Sequence, residues 1–164
     1  MKESKLDKHV KKYLKGDSFE FDIIYEETKK LVYLSIYTYV KNQMTIDDLM
    51  QDTYLKVIEN INKYRIGTNF NSWICTIARN IAINYYHKNK KEDLVEEYIG
   101  GENPNNDSLV NLALSVLKGL EREVLIYHIV LNFKFSDISK ILDKPLGTIY
   151  SLYKKAIQTI KEKI

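Results

Sequence analysis

The apolar positions of this chain recur mostly three or four residues apart over long stretches, the spacing of helices with one buried face. The pattern predicts an all-α protein. From Asp17 to about Lys41, Phe21, Ile24, Leu31, Leu34 and Ile36 keep mostly helical spacing, with Asp17 and Ser18 as candidate N-caps. A second helix is expected from Thr45, with Asp48 three residues on as the partner of a capping box, followed by Ile46, Leu49, Met50, Tyr54, Val57, Ile58 and Ile61. After a break at residues 64–69, a third runs from about Asn71 to Asn89, with Trp73, Ile77, Ala78, Ile81 and Tyr85 as one stripe. Its opposite face carries Thr76, Arg79, Asn80, Asn84, His87 and Lys88, amides and bases suited to base edges and phosphates.

Past residue 107 four helices follow. Ser108–Lys118 and Leu120–Leu131 are split at Gly119; a short helix covers Asp137–Leu142, capped by Ser136. Asp143-Lys144-Pro145 then turns the chain into a longer helix, Leu146–Lys163. Short helix, tight turn and longer basic helix form the helix-turn-helix plan, whose second helix enters the major groove. Ile149, Tyr153, Ala156 and Ile160 are expected to face the core, which leaves Thr148, Tyr150, Ser151, Lys154 and Lys155 outward as candidate readers, with Lys144 in the turn before them.

Charge divides the chain the same way. Residues 1–91 hold 16 basic and 11 acidic side chains and residues 108–164 hold 9 and 5, whereas residues 92–107 carry six acids, no base, a Gly-Gly pair and an Asn-Pro-Asn-Asn cluster. The expected organisation is therefore two small helical domains, 1–91 with three helices and 108–164 with four, joined by an acidic linker at 92–107. Two basic lobes point to a polyanionic partner.

Composition removes several other classes. With 164 residues, 6 Gly, 2 Pro and 45% hydrophobic residues, the chain has room for long uninterrupted helices and a core, and none for a large enzyme. The start lacks the apolar centre of a secretory signal and no apolar run reaches the roughly 18 residues of a membrane span, so a cytoplasmic location is expected, with no membrane partner. Leu6, Val10 and Leu14 stand in step in the leader 1–15, and a membrane-surface helix there is the alternative. Cys75 is the only cysteine, and it and Trp73 are expected in or near the core. His9, His87 and His128 are scattered, so no metal site is expected; no cofactor, catalytic residue or small-molecule substrate is expected either.

Four stretches resemble the sigma-70 family of bacterial RNA polymerase sigma factors, in its small two-domain extracytoplasmic-function type. Gly16-Asp17-Ser18-Phe19-Glu20-Phe21 resembles the family's opening Gly-Asp and aromatic, and Asp47-Asp48-Leu49-Met50-Gln51-Asp52-Thr53-Tyr54 its Ala-Glu-Asp-Leu-x-Gln-Glu-Thr-Phe segment. Phe70-Asn71-Ser72-Trp73-Ile74-Cys75-Thr76-Ile77-Ala78-Arg79-Asn80 is similar to Phe-x-x-Trp-Leu-x-x-Ile-Ala-Arg-Asn, and Pro145-Leu146-Gly147-Thr148-Ile149-Tyr150-Ser151 to Pro-x-Gly-Thr-Val-x-Ser.

The resemblance implies a sigma region 2-like domain followed by a region 4-like domain, with no catalysis of its own, that binds core RNA polymerase and promoter DNA and helps open it. An anti-sigma factor is a further partner the family allows. Asp48, Leu49, Gln51, Asp52, Thr53 and Tyr54 match the surface that docks on the polymerase coiled coil. Tyr64, Arg65 and Asn69 in the loop, with Arg79, Asn80, Asn84, His87 and Lys88 on the helix face, match the part that captures an unpaired minus-ten base, by stacking and edge hydrogen bonds. Lys144, Thr148, Tyr150, Ser151, Lys154 and Lys155 match the part that binds the minus-thirty-five element as duplex. The acidic linker is either plain solvated chain or, as in the family, a polyanion mimic lying in the polymerase channel later used by RNA. Two features depart from the family: Leu120-Glu121 stands where leucine is usually followed by proline, and Leu152 where arginine often follows the serine. Without an arginine fork to read guanine, no minus-thirty-five sequence carries over. On the residues alone, a stand-alone helix-turn-helix regulator and a helical protein-binding adaptor remain alternatives.

Overall fold

The structure, a computed structural model, describes residues 3–89 and 108–163; the acidic segment 92–107 lies outside the described residues. The chain forms two compact units, Met1–Asp93 and Leu94–Ile164, and all described secondary structure is helical.

The N-terminal unit has one helix more than the sequence pattern suggests. α1 (Lys5–Leu14) begins with a capping box in which the Ser4 hydroxyl accepts from the Asp7 amide and the Asp7 carboxylate accepts from the Ser4 amide. Val10 is fully buried and His9 pairs with Glu20, so the leader packs into the domain instead of presenting an apolar face to a membrane surface. Gly16, at φ +110°, turns the chain out of α1 in a conformation that favours glycine.

α2 (Glu20–Tyr37) lies against α1, α3 (Gln43–Asn60) and α4 (Phe70–Lys88). That central position explains why its last turns, residues 32–37, are buried on every side and lack a clean amphipathic period. The expected Asp17 and Ser18 caps are not used as such: α2 starts after two successive turns, with Asp17 accepting from the Phe19 amide. α3 starts two residues earlier than expected, because Asn42, not Thr45, caps it, accepting from the Thr45 amide at 3.1 Å. A 3₁₀ turn, Ile61–Lys63, leads to the loop 64–69, and Asn69 then caps α4 at φ +82°, accepting from the Ser72 amide. The buried face of α4 is Phe70, Ile74, Cys75, Ala78 and Ala82; the expected stripe through Trp73, Ile77, Ile81 and Tyr85 is half-buried, one position out of register. Each fully buried Ile or Leu in such a core contributes roughly 1.5–3 kcal/mol by leaving water.

In the C-terminal unit α5 (Ser108–Val116) is followed by α6 (Gly119–Leu125), which continues as a π turn, Ile126–Val130. Arg122 ties the two helices by donating to the carbonyls of Leu114 and Leu117 at 2.7 and 2.9 Å, satisfying the orphan acceptors of the end of α5. α7 (Phe135–Leu142) starts from Lys134, ahead of the expected Ser136 cap, and no side chain caps it. Asp143, left-handed at φ +52°, makes the turn into α8 (Leu146–Lys163). Ile138, Ile141 and Leu142 of α7 and Ile149 and Ala156 of α8 are buried, as are Val124, Leu125 and Tyr127 of α6 and its π turn, and α8 packs against both α6 and α7.

Candidate nucleic-acid interface

On α4, Asn80, Asn84, His87 and Lys88 are all exposed, and their spacing places them in one row along the helix. Arg79 is half-buried; its guanidinium donates to the Tyr39 hydroxyl at 3.3 Å and lies 6.0 Å from that ring. The row therefore presents two amides, an imidazole and an ammonium, donors and acceptors able to pair with base edges and phosphates.

The loop ahead of α4 is held from below. Tyr64, expected at the interface, is only 5% exposed: its ring lies 5.0 Å from Phe70 and 5.5 Å from Trp73, and its hydroxyl donates to Asp7 at 2.7 Å. It anchors the loop and is not available to stack on a base. Gly67, at φ +91°, donates its amide to the other Asp7 oxygen at 3.2 Å, and Thr68 closes the turn on the Arg65 carbonyl. Arg65 is left exposed at the tip, and Asn69 is engaged in capping α4.

Asp7 itself is 1% exposed. Burial would push its pKa up, but the Tyr64 hydroxyl, both Ser4 bonds and the Gly67 amide outweigh it, and the carboxyl sits below its ordinary value. Burial first, and then the Asp7 carboxylate, push the Tyr64 hydroxyl above its ordinary value. A cleft of about 250 Å³ opens beside this linkage, lined by Ser4, Lys5, His9, Glu27, Asn69 and Asn71 among others. The sequence reading missed Asp7: its capping box is visible in Ser4-Lys5-Leu6-Asp7, but no local pattern signals a partner near residue 64.

The surface expected to dock on polymerase is split by the structure. Asp48, Gln51 and Asp52 are exposed, whereas Leu49, Thr53 and Tyr54 are buried. Tyr54 hydrogen-bonds Thr28 at 2.8 Å and packs on Tyr25 and Phe21, so it supports the surface from behind; burial pushes its hydroxyl pKa up. Exposed in their place are Met44, Leu55 and Ile58, at 78%, 60% and 44%. Leu55 and Ile58 border a groove of about 520 Å³ with Tyr25, Asp47, Met50 and Gln51. Met44, Leu55 and Ile58 lie on the face opposite Ile46, Leu49, Thr53 and Val57, so Ile58, expected among the apolar positions of this helix's buried series, faces outward instead.

In the C-terminal unit Lys144, Thr148, Tyr150, Ser151, Lys154 and Lys155 are all exposed, on the turn and the outer face of α8. Tyr150 leans on Phe135 at 4.7 Å between centroids, which fixes its ring, and Lys155 pairs with Glu121 at 3.3 Å. Cys75 is fully buried with its thiol pushed up to about 12 by desolvation, beyond reach of ordinary thiol chemistry. Among the described residues no His, Cys, Asp and Glu cluster fits a metal ion, and no helix is long and apolar enough to cross a membrane.

Comparison with known proteins gives a consistent result. The Sigma-70 region 2 family matches residues 24–92, which include α3, the loop and α4. The chain is 22% identical to the ECF RNA polymerase sigma factor SigW of Bacillus subtilis, over 99% of this chain and 98% of that protein. It is 31% identical to the ECF RNA polymerase sigma factor EcfG of Rhodopseudomonas palustris, over 67% of this chain and 66% of that one. Its fold is similar to that of the sigma factor RpoE of Bartonella quintana, solved with the anti-sigma factor NepR, at a TM-score of 0.70, 21% identity and coverage of 87% and 95% of the two chains. CnrH, solved with the cytosolic domain of CnrY, gives a TM-score of 0.73 at 12% identity over 95% and 94%. With the ordered motifs carried by two helical units, these matches place the chain in the sigma-70 family of bacterial RNA polymerase sigma factors, in its extracytoplasmic-function group.

Proposed function

We propose that this sigma factor binds core RNA polymerase through the outer face of α3, holds an unpaired minus-ten base with the loop and α4, and grips the minus-thirty-five element as duplex with α8. The exposed row Asn80, Asn84, His87 and Lys88 on α4, with Arg65 exposed on the loop that leads into that helix, carries the reading, because amides and cations suit a splayed base and its flanking phosphates. On α3, Met44, Leu55 and Ile58 supply the apolar anchor and Asp48, Gln51 and Asp52 a polar border, the usual make-up of a protein-docking patch. Lys144 in the turn and Lys154 and Lys155 on α8 contact phosphates, while Thr148, Tyr150 and Ser151 face the groove floor. Polymerase supplies the chemistry, and its location places the chain in the cytoplasm. Residues 92–107 join the two domains. An anti-sigma factor is proposed as the regulator, supported by the fold shared with the NepR-bound protein.

The test is reconstitution. The purified chain added to core polymerase should form a complex and direct transcription from a defined promoter in a genomic fragment library. A dimer that footprints a palindrome tightly without polymerase would instead support the stand-alone regulator and refute the proposal.

A further inference from the structure

We propose that Asp7, on the N-terminal helix, is a positioning residue for the base-capturing loop, so that α1 sets how stringently the minus-ten base is read. This rests on the reading of loop 64–69 as a base-capturing element.

One carboxylate, held by its own helix start, reaches two points of the loop 57 and 60 residues away in the chain: the Tyr64 hydroxyl at 2.7 Å and the Gly67 amide at 3.2 Å. Between them stands Arg65, the exposed cation of the loop. Tyr64 in turn packs on Phe70 and Trp73 at the start of α4, the helix that carries Asn80 and Asn84. Asp7 thus ties loop and helix to one point, and charge-assisted hydrogen bonds from a buried carboxylate hold that geometry more strongly than neutral ones. Stapling α1 to the domain needs no such reach, since Val10 and the His9–Glu20 pair already do so.

The test uses the full chain with core polymerase, on promoters matched or substituted at the captured base, comparing Asp7→Asn and Tyr64→Phe with Val10→Ala. Asp7→Asn sets an amide against the Ser4 or Gly67 N–H donors, and Tyr64→Phe removes the hydroxyl that bonds Asp7 while keeping the ring. Both are expected to cut the ratio of initiation on matched over substituted promoters by about tenfold, with core affinity unchanged. Val10→Ala, which loosens the same helix without touching the linkage, is expected to lower thermal stability and keep the ratio. In the free protein, acrylamide quenching of Trp73, the only tryptophan, should rise in Asp7→Asn and Tyr64→Phe. Unchanged discrimination in both variants, or an equal loss in Val10→Ala, overturns the role. A wild-type chain that is inert with core polymerase while the quenching still rises shows that the linkage exists but the loop's base-capturing role, and this assignment with it, is wrong.

Discussion

The two units present their candidate DNA contacts in different ways. On the C-terminal unit all six expected readers are exposed, and each follows from helical spacing once α7, the turn and α8 are located. On the N-terminal unit the motif residues divide: Leu49, Thr53, Tyr54 and Tyr64 are buried, while Asp48, Gln51, Asp52, Arg65, Asn80, Asn84, His87 and Lys88 face solvent. A helix-turn-helix is a local device whose reading face is one side of one helix. The N-terminal face is assembled from α1, α3, a loop and α4, so residues of one short motif serve packing and contact alternately.

That contrast is sharpest within α3. Tyr54→Ala should cost the N-terminal domain about 3–5 kcal/mol, the usual range for removing a buried aromatic, seen as a lower urea midpoint. Its neighbour Leu55→Ala should change stability by less than about 0.5 kcal/mol yet weaken the polymerase complex by about tenfold, as a truncated interface anchor does. Equal stability losses at the two positions would erase the distinction between supporting and contacting residues.

On α4, Asn80→Ala should reduce promoter opening by roughly fivefold, the worth of about one hydrogen bond, with core affinity unaltered, as read by permanganate reactivity of the melted strand. Undiminished opening would remove Asn80 from the interface.

Acid tests the buried carboxylate. Because the pKa of Asp7 is depressed in the folded state, the unfolded chain binds its proton more readily; the stability it adds is complete above the unfolded value of about 4 and is lost as pH falls through the lower folded value. The urea midpoint of Asp7→Asn should therefore fall less steeply below pH 4 than that of the wild type. Parallel acid limbs would mean that the carboxylate is not held as the geometry indicates.

The smallest effects belong to α8. Lys154→Ala should lower the salt dependence of duplex binding by about one counterion. Lys155→Ala should do so too but lose less affinity, because Lys155 shares its charge with Glu121 in a pair worth about 0–1 kcal/mol, and Glu121→Gln should tighten binding slightly. A salt slope that ignores both lysines would exclude the outer face of α8 from phosphate contact.

What could be read from the sequence follows the same division. The all-α class, the helix-turn-helix and the polar row on α4 rest on spacing within one helix, which residue order encodes directly. α1 was legible as a row of Leu6, Val10 and Leu14, but whether that thin face meets lipid or protein depends on a domain surface that spacing does not reveal. The stripe on α4 slipped by one position because Trp73 looks like core by composition, whereas it covers the rim of the core against Tyr64 and Phe70. Asn42 and Thr45 both carry side chains able to cap the start of α3, and only the backbone decides that Asn42 is the one that accepts the bond. The π turn at Ile126–Val130 has no sequence sign, and the Asp7–Tyr64 bond joins residues 57 positions apart.

The central claim is that one unit holds single strand and the other holds duplex. A photocrosslinking residue, p-benzoylphenylalanine, placed at Asn84 or at Ser151 of the full chain in complex with core polymerase tests it on one promoter, closed at low temperature and open at high. The account predicts that position 84 captures the non-template strand only when the promoter is open and that position 151 captures upstream duplex in both states. Crosslinking from position 84 to closed duplex as strongly as to the open promoter, or none from position 151 in either state, would contradict it.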